Sequence, residues 1–196
     1  MLVISESIAG RRVMSIHAGA PIASINEAII DPSNLKISAF SVYSQNLQFF
    51  SVVHSSDIRE WSNLGLVINS EDDVMEVDDN MPKIKKLVES KFKLDGINVR
   101  TSSGKRIGKV KNYVFETDGY FIVKLYVEKT VILSLFSQPL IIGRDAVINV
   151  TDKYIVISDE SAKVRVKRNK EAVDYGFSAQ SSEAANDIAS DQVGKT

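Results

Sequence analysis

The chain has 196 residues and not one cysteine. Disulfides, thiolate nucleophiles and cysteine-ligated zinc or iron–sulfur centres are therefore excluded. Histidine is almost as scarce. His17 and His54 are the only two, and neither has partners at the spacing of metal ligands. Serine is plentiful, but no G-x-S-x-G elbow marks one as a nucleophile. No apolar run reaches the roughly 18 residues that a membrane-spanning helix needs. The opening MLVISESIAG has neither the basic leader nor the apolar core of a signal peptide, so the cytoplasm is the expected compartment.

Two runs look like sites and fail on inspection. The acidic stretch Glu71-Asp72-Asp73 with Glu76, Asp78 and Asp79 lacks the central glycine of an EF-hand loop. It reads as solvation for a hairpin and negative charge for the start of a helix. Gly104-Lys105-Arg106-Ile107-Gly108-Lys109 lacks the G-x-x-x-x-G-K-[ST] order of a phosphate loop and its strand-to-helix setting. The expectation is a chain with no catalytic, cofactor-binding or metal-binding residues, and not an enzyme.

What the chain does have is an internal repeat. Gly10-Arg11-Arg12-Val13, Gly19-Ala20-Pro21-Ile22, Ile25 and Ile29-Ile30-Asp31 recur as Gly96-Ile97-Asn98-Val99, Gly104-Lys105-Arg106-Ile107, Val110 and Val114-Phe115-Glu116. The offset is 86 at the first glycine and 85 from Gly19/Gly104 onward, which places a one-residue deletion in the polar turn after Val99. Gly10, Gly19, Gly96, Gly104 and Gly108 are the structural glycines of this pattern. Gly104 is free to take positive φ in the turn, and Gly108 to bring two strands close. Asp118-Gly119 signals a hairpin, and residues 120–127 alternate as its return strand. Further strands follow in each copy. Matching Val67 to Val147 puts them 80 residues apart, so the second copy should be shorter in its middle.

Short strands and tight turns point to a mainly β fold of two small β-barrels in tandem joined by a short helix, because closing a small sheet hides its edges. A two-sheet sandwich is the alternative. The first domain covers residues 1–78 and the second 94–173. The connecting helix at 79–93 is capped by Asp79 or Asn80, has Pro82 in its first turn, and carries an apolar stripe of Ile84, Leu87, Val88 and Phe92. Residues 174–196 have the composition of a disordered tail.

The net charge of −1 conceals a polarity. Residues 1–80 hold 4 basic and 11 acidic side chains, while residues 81–173 hold 19 basic and 10 acidic. Lys105, Arg106, Lys109 and Lys111 lie around one hairpin. Arg165, Lys167 and Arg168 lie in a charged stretch near the end. A face built from these cations suits a protein partner, with RNA as the other candidate. Trp61 could anchor the seam between the units or an outside partner. Self-association is a further possibility.

The repeat resembles the PRC-barrel family. The resemblance rests on Gly96-Ile97-Asn98-Val99 with Gly104-Lys105-Arg106-Ile107-Gly108-Lys109-Val110 and Val114-Phe115-Glu116. Gly10-Arg11-Arg12-Val13 with Gly19-Ala20-Pro21-Ile22-Ala23-Ser24-Ile25 is a weaker copy, in which Ala23 stands where the second has Gly108. The resemblance covers roughly residues 5–77 and 93–160. It implies a standalone tandem barrel of prokaryotic type, without catalytic residues, that acts as a binding or assembly adaptor. RNA- or ribosome-associated maturation is the alternative role, and a small-ligand-binding protein or enzyme is a third.

Overall fold

A computed structural model describes residues 1–129 and 139–160. It shows a mainly β protein in which two sheets are joined by one helix. The first sheet contains β2 (Arg12–Ser15), β3 (Ala20–Asp31), β4 (Lys36–Tyr43), β5 (Ser51–His54), β6 (Ile58–Trp61), β7 (Gly65–Ile68) and β8 (Val74–Glu76), in the order β6-β7-β2-β3-β4-β5-β8. The helix α1 (Pro82–Ser90) follows. The second sheet contains β9 (Asn98–Thr101), β10 (Arg106–Glu116), β11 (Ile122–Lys129), β12 (Leu140–Gly143), β13 (Val147–Val150) and β14 (Tyr154–Ile157), in the order β12-β11-β10-β9-β14-β13. Its seventh strand is β1 (Leu2–Ile4), which pairs with β10.

Six strands of each sheet share one topology, down to the register, while β8 on β5 and β1 on β10 have no counterparts among the described residues. In each, the first strand of the repeat pairs in parallel with a late strand, Val13 opposite Leu66 and Val99 opposite Ile155. The hairpin β3–β4 breaks register between Ile25 and Glu27 and between Ile29 and Ile30, and β10–β11 breaks it at the 85-shifted positions Val110/Asn112 and Val114/Phe115. Extra residues of this kind bend and twist a strand, so the curvature itself is duplicated. Gly10, Gly19, Gly96 and Gly104 all take positive φ, between 63° and 87°.

The expected shortening of the second copy is wrong. His54 faces Ala39 as Gly143 faces Lys124, and Ile58 faces Ile68 as Val147 faces Ile157. The offset past the hairpin is therefore 89, and the second copy is longer in its middle. Leu66-Val67-Ile68 corresponds to Ile155-Val156-Ile157, not to Ala146-Val147-Ile148. The true counterpart of β13 is Ile58-Arg59-Glu60-Trp61, whose polar centre hid it.

Neither sheet closes its hydrogen-bond ladder, so complete barrels do not form within the described residues. Only residues 55–57 separate β5 from β6, although β6 ends the first ladder and β5 lies near its far end. That sheet must therefore curl into a half-barrel.

The segment before each repeat covers the other repeat. β1 extends the second sheet, with Val3 opposite Phe115. α1 lies on the outer face of the first sheet, where Ile84 packs with Ile29, Ala39 and Val52. The same crossing recurs in polar contacts. Asn112 Nδ2 donates to Glu6 Oε1 at 2.7 Å, and Lys93 pairs with Glu27 at 2.9 Å. The helix cap differs from expectation. Met81 is the N-cap, without a side-chain cap bond, and Pro82 opens the first turn. Asp79 pairs instead with Lys85, and Asp78 with Asn80. Phe92 lies past the helix and packs against the main core.

The hairpin tips meet at the centre. Ile37 N donates to Tyr120 O at 2.9 Å, and Ile122 N donates to Leu35 O at 2.8 Å. Lys36 and Phe121 form the antiparallel bridge between them. Leu35 and Tyr120, equivalent residues of the two copies, are both left-handed at φ 48° and 61°. Behind the tips, Phe40 and Trp61 of the first sheet pack with Phe115 and Tyr120 of the second, with ring centroids 5.3–6.2 Å apart. The two backbone bonds bring about 1 kcal/mol each. Burying four aromatic side chains brings several times that. Packing therefore drives the docking, and the bonds set its register.

Candidate functional site

Two features stand out: a basic strand on the second sheet and a pair of clefts at the seam. Lys105 and Arg106 lie at the turn into β10, and Lys109 and Lys111 lie along it. All four are exposed, and among the described residues none has a carboxylate within ion-pair distance. Arg100 sits directly opposite Arg106 in the ladder, and its guanidinium stacks over the Tyr154 ring at 3.4 Å. Arg165, Lys167 and Arg168 lie outside the described residues.

The basic turn is clasped from below. Ser102 Oγ and Ser103 Oγ each donate to Asp159 at 2.6 Å, and Thr101 Oγ1 lies 2.8 Å from Ser103 Oγ. The hydroxyl groups of Ser102 and Ser103 hold the Asp159 carboxyl at about 2, below its ordinary 3.8. A carboxyl depressed on folding contributes stability above its unfolded value and loses it as pH falls through the folded one. The clasp is thus fully formed above about pH 4 and released near pH 2. Amide protection at residues 102–105, taken relative to the intrinsic exchange rate at each pH, is expected to fall over that window in the native chain. In Asp159→Asn it should be low already at pH 5. Unchanged protection in the variant would refute the clasp.

The clefts are also a repeated pair. One lies between the hairpin tip at residues 117–120 and the turn and strand at 55–61, with Lys36 beside them, and measures about 590 Å³. The other lies between the tip at 32–35 and Arg144 with residues 147–150, and measures about 170 Å³. These segments correspond at offsets of 85 and 89, so each cleft joins the tip of one copy to the late turn of the other. Trp61 is buried at 5% exposure and lines the larger cleft. Its Nε1 is buried without a hydrogen-bond partner among the described residues. Arg11 stacks over the Trp61 ring at 5.6 Å. Burial pushes the Tyr120 phenol well above its ordinary value.

The remaining candidates have local roles. His54 Nδ1 is 2.7 Å from Ser56 Oγ, and His17 is exposed in a turn. In the acidic run, Asp73 accepts from the backbone N–H groups of Asn69 and Ser70 at 2.8 and 3.1 Å. No three His, Asp or Glu side chains gather as metal ligands would among the described residues. No described helix is long and apolar enough to cross a membrane. The sequence offered the basic strand directly. It did not offer the clefts, because their walls are residues about 60 positions apart in the larger and about 110 in the smaller, which meet only through the tip-to-tip bridge.

No protein-family model matches this chain, and no curated protein sequence matches it.

Proposed function

We propose that the chain is a noncatalytic adaptor of the PRC-barrel type, whose second repeat docks an acidic protein partner through Lys105, Arg106, Lys109 and Lys111. One observation carries this reading. β3 builds the same bent strand as β10 in the same register, and at the corresponding positions it has Ala20, Pro21, Ser24 and Asn26. The fold therefore does not need the four cations, and the chain supplies its own control. Unpaired exposed cations in a row attract an acidic surface and speed encounter with it.

A protein partner is favoured over RNA by where the nearby rings lie. Tyr113, Phe115 and Tyr120 are buried and the half-buried Tyr154 is covered by Arg100, which leaves half-buried Tyr126 alone, too little for a stacking platform for unpaired bases.

The test is affinity capture with the native chain and with K105E/R106E. The native chain is expected to recover the same acidic protein reproducibly, with or without ribonuclease. Recovery should fall about tenfold or more with the variant, because attraction becomes repulsion. Equal recovery by both, or no reproducible partner, would sink the proposal. Loss of recovery on ribonuclease treatment would transfer the basic strand to RNA.

A further inference from the structure

We infer that the larger seam cleft is a binding site for a small organic anion with a flat apolar body, such as an aromatic carboxylate or phosphonate. The starting point is the unequal pair. Duplication supplies two equivalent clefts, and one is more than three times the volume of the other. What differs between them is chemistry that the fold does not require. Trp61 stands where the smaller cleft has Val150, Arg59 where it has Ile148, and His54 where the second copy has Gly143.

The inner lining is made of donors. Trp61 offers an indole N–H with no partner, in a position where native interiors normally supply one. Lys36 is half-buried, with its ammonium over the Phe121 ring at 5.3 Å. Ser55 is buried and Tyr120 brings a phenol. The carboxylates of the cleft, Glu60 and Asp118, are exposed at its mouth, as is Arg59. Asp118 lies 3.8 Å from the amino terminus of Met1, which also lines the cleft, and water and salt screen these exposed charges more than the half-buried Lys36. An anion set against Lys36 therefore has its charge answered, with the unpartnered indole in the same wall. The faces of Trp61 and Tyr120 are taken by Phe40, Phe115 and Arg11, so it is their rims, with Ile58, that give a flat body an apolar wall.

The smaller cleft is built from other groups. Arg144 is its cation, its orphan is an acceptor, Asn34 Oδ1, and its outer wall is the apolar Ile148. The site assigned here is independent of the basic strand, which lies elsewhere on the second sheet.

Trp61 is the only tryptophan in the chain, so its fluorescence reads the cleft without a label. Phenylphosphonate and benzylamine share a ring and differ in the sign of their charge. Titration of the full chain with phenylphosphonate is expected to give a saturable change, and benzylamine none. Lys36→Glu should weaken phenylphosphonate about tenfold or more, the scale of one lost charge-assisted hydrogen bond. Ile148→Glu, which puts the same carboxylate in the smaller cleft, should leave it unchanged. Lys36→Met keeps the apolar stem over Phe121 and guards against misfolding, and should weaken binding as well. No saturable change, an equal response to benzylamine, or full affinity in both Lys36 variants would overturn the assignment.

Discussion

Phe115→Ala is expected to cost about 3–5 kcal/mol, the usual range for emptying a buried phenylalanine site. Phe115 is fully buried on β10, and its ring meets Phe40, Trp61 and Tyr120. Two of those neighbours belong to the other sheet. The void therefore opens at the seam, where both halves are covered, and not inside one of them. The form of the loss is as informative as its size. Urea unfolding followed by Trp61 fluorescence reports on the first sheet, and circular dichroism reports on both. The native chain should give coincident transitions by the two probes, as a single cooperative unit does. Phe115→Ala should lower both midpoints together. If the fluorescence transition stayed in place while only part of the circular dichroism signal moved, the seam would not be a shared core.

The second large effect is expected at Gly108. A Cβ placed there would come within 1.9 Å of the Glu128 carbonyl oxygen, a contact no side chain can tolerate. Gly108 faces Val99 on one edge of β10 and Lys129 on the other. The first sheet shows what relief would look like. Ala23 occupies the equivalent place opposite Val13, and there the β3–β4 ladder stops one pair earlier, at Ser24 opposite Tyr43. Gly108→Ala should force the same retreat and cost about 1–3 kcal/mol, as overfilling a packed site does. The reverse change, Ala23→Gly, removes no such restraint and should cost no more than about 1 kcal/mol through chain entropy. Denaturant midpoints for the two variants decide the matter. Equal small losses would show that the close approach at Gly108 carries no weight.

The repeat was legible because it is written in residues that local geometry demands. The paired glycines, the isoleucine and valine positions, and the one-residue deletion in a turn can all be found by sliding the sequence along itself. The error in the later strands has a physical source. β6 reads Ile-Arg-Glu-Trp, and its polar middle is exposed while Trp61 faces the seam. Short apolar runs elsewhere matched each other better by composition, and composition does not fix register. β1 escaped notice for a related reason. Three residues carry no period, and what makes Leu2–Ile4 a strand is the free edge of β10 more than 100 positions away. The basic strand needed only a run of cations to be seen. The clefts needed the tips of two hairpins to be known as neighbours, and nothing in either hairpin announces the other.

The crossed covers make the halves inseparable in a second way. Cutting the chain anywhere between α1 and β9 would leave β1 on the fragment that does not contain β10, so the second sheet would lose the strand laid against Phe115. Cutting it before α1 would bare Ile29, Ala39 and Val52 on the first sheet. Either fragment is expected to expose apolar surface that the intact chain hides.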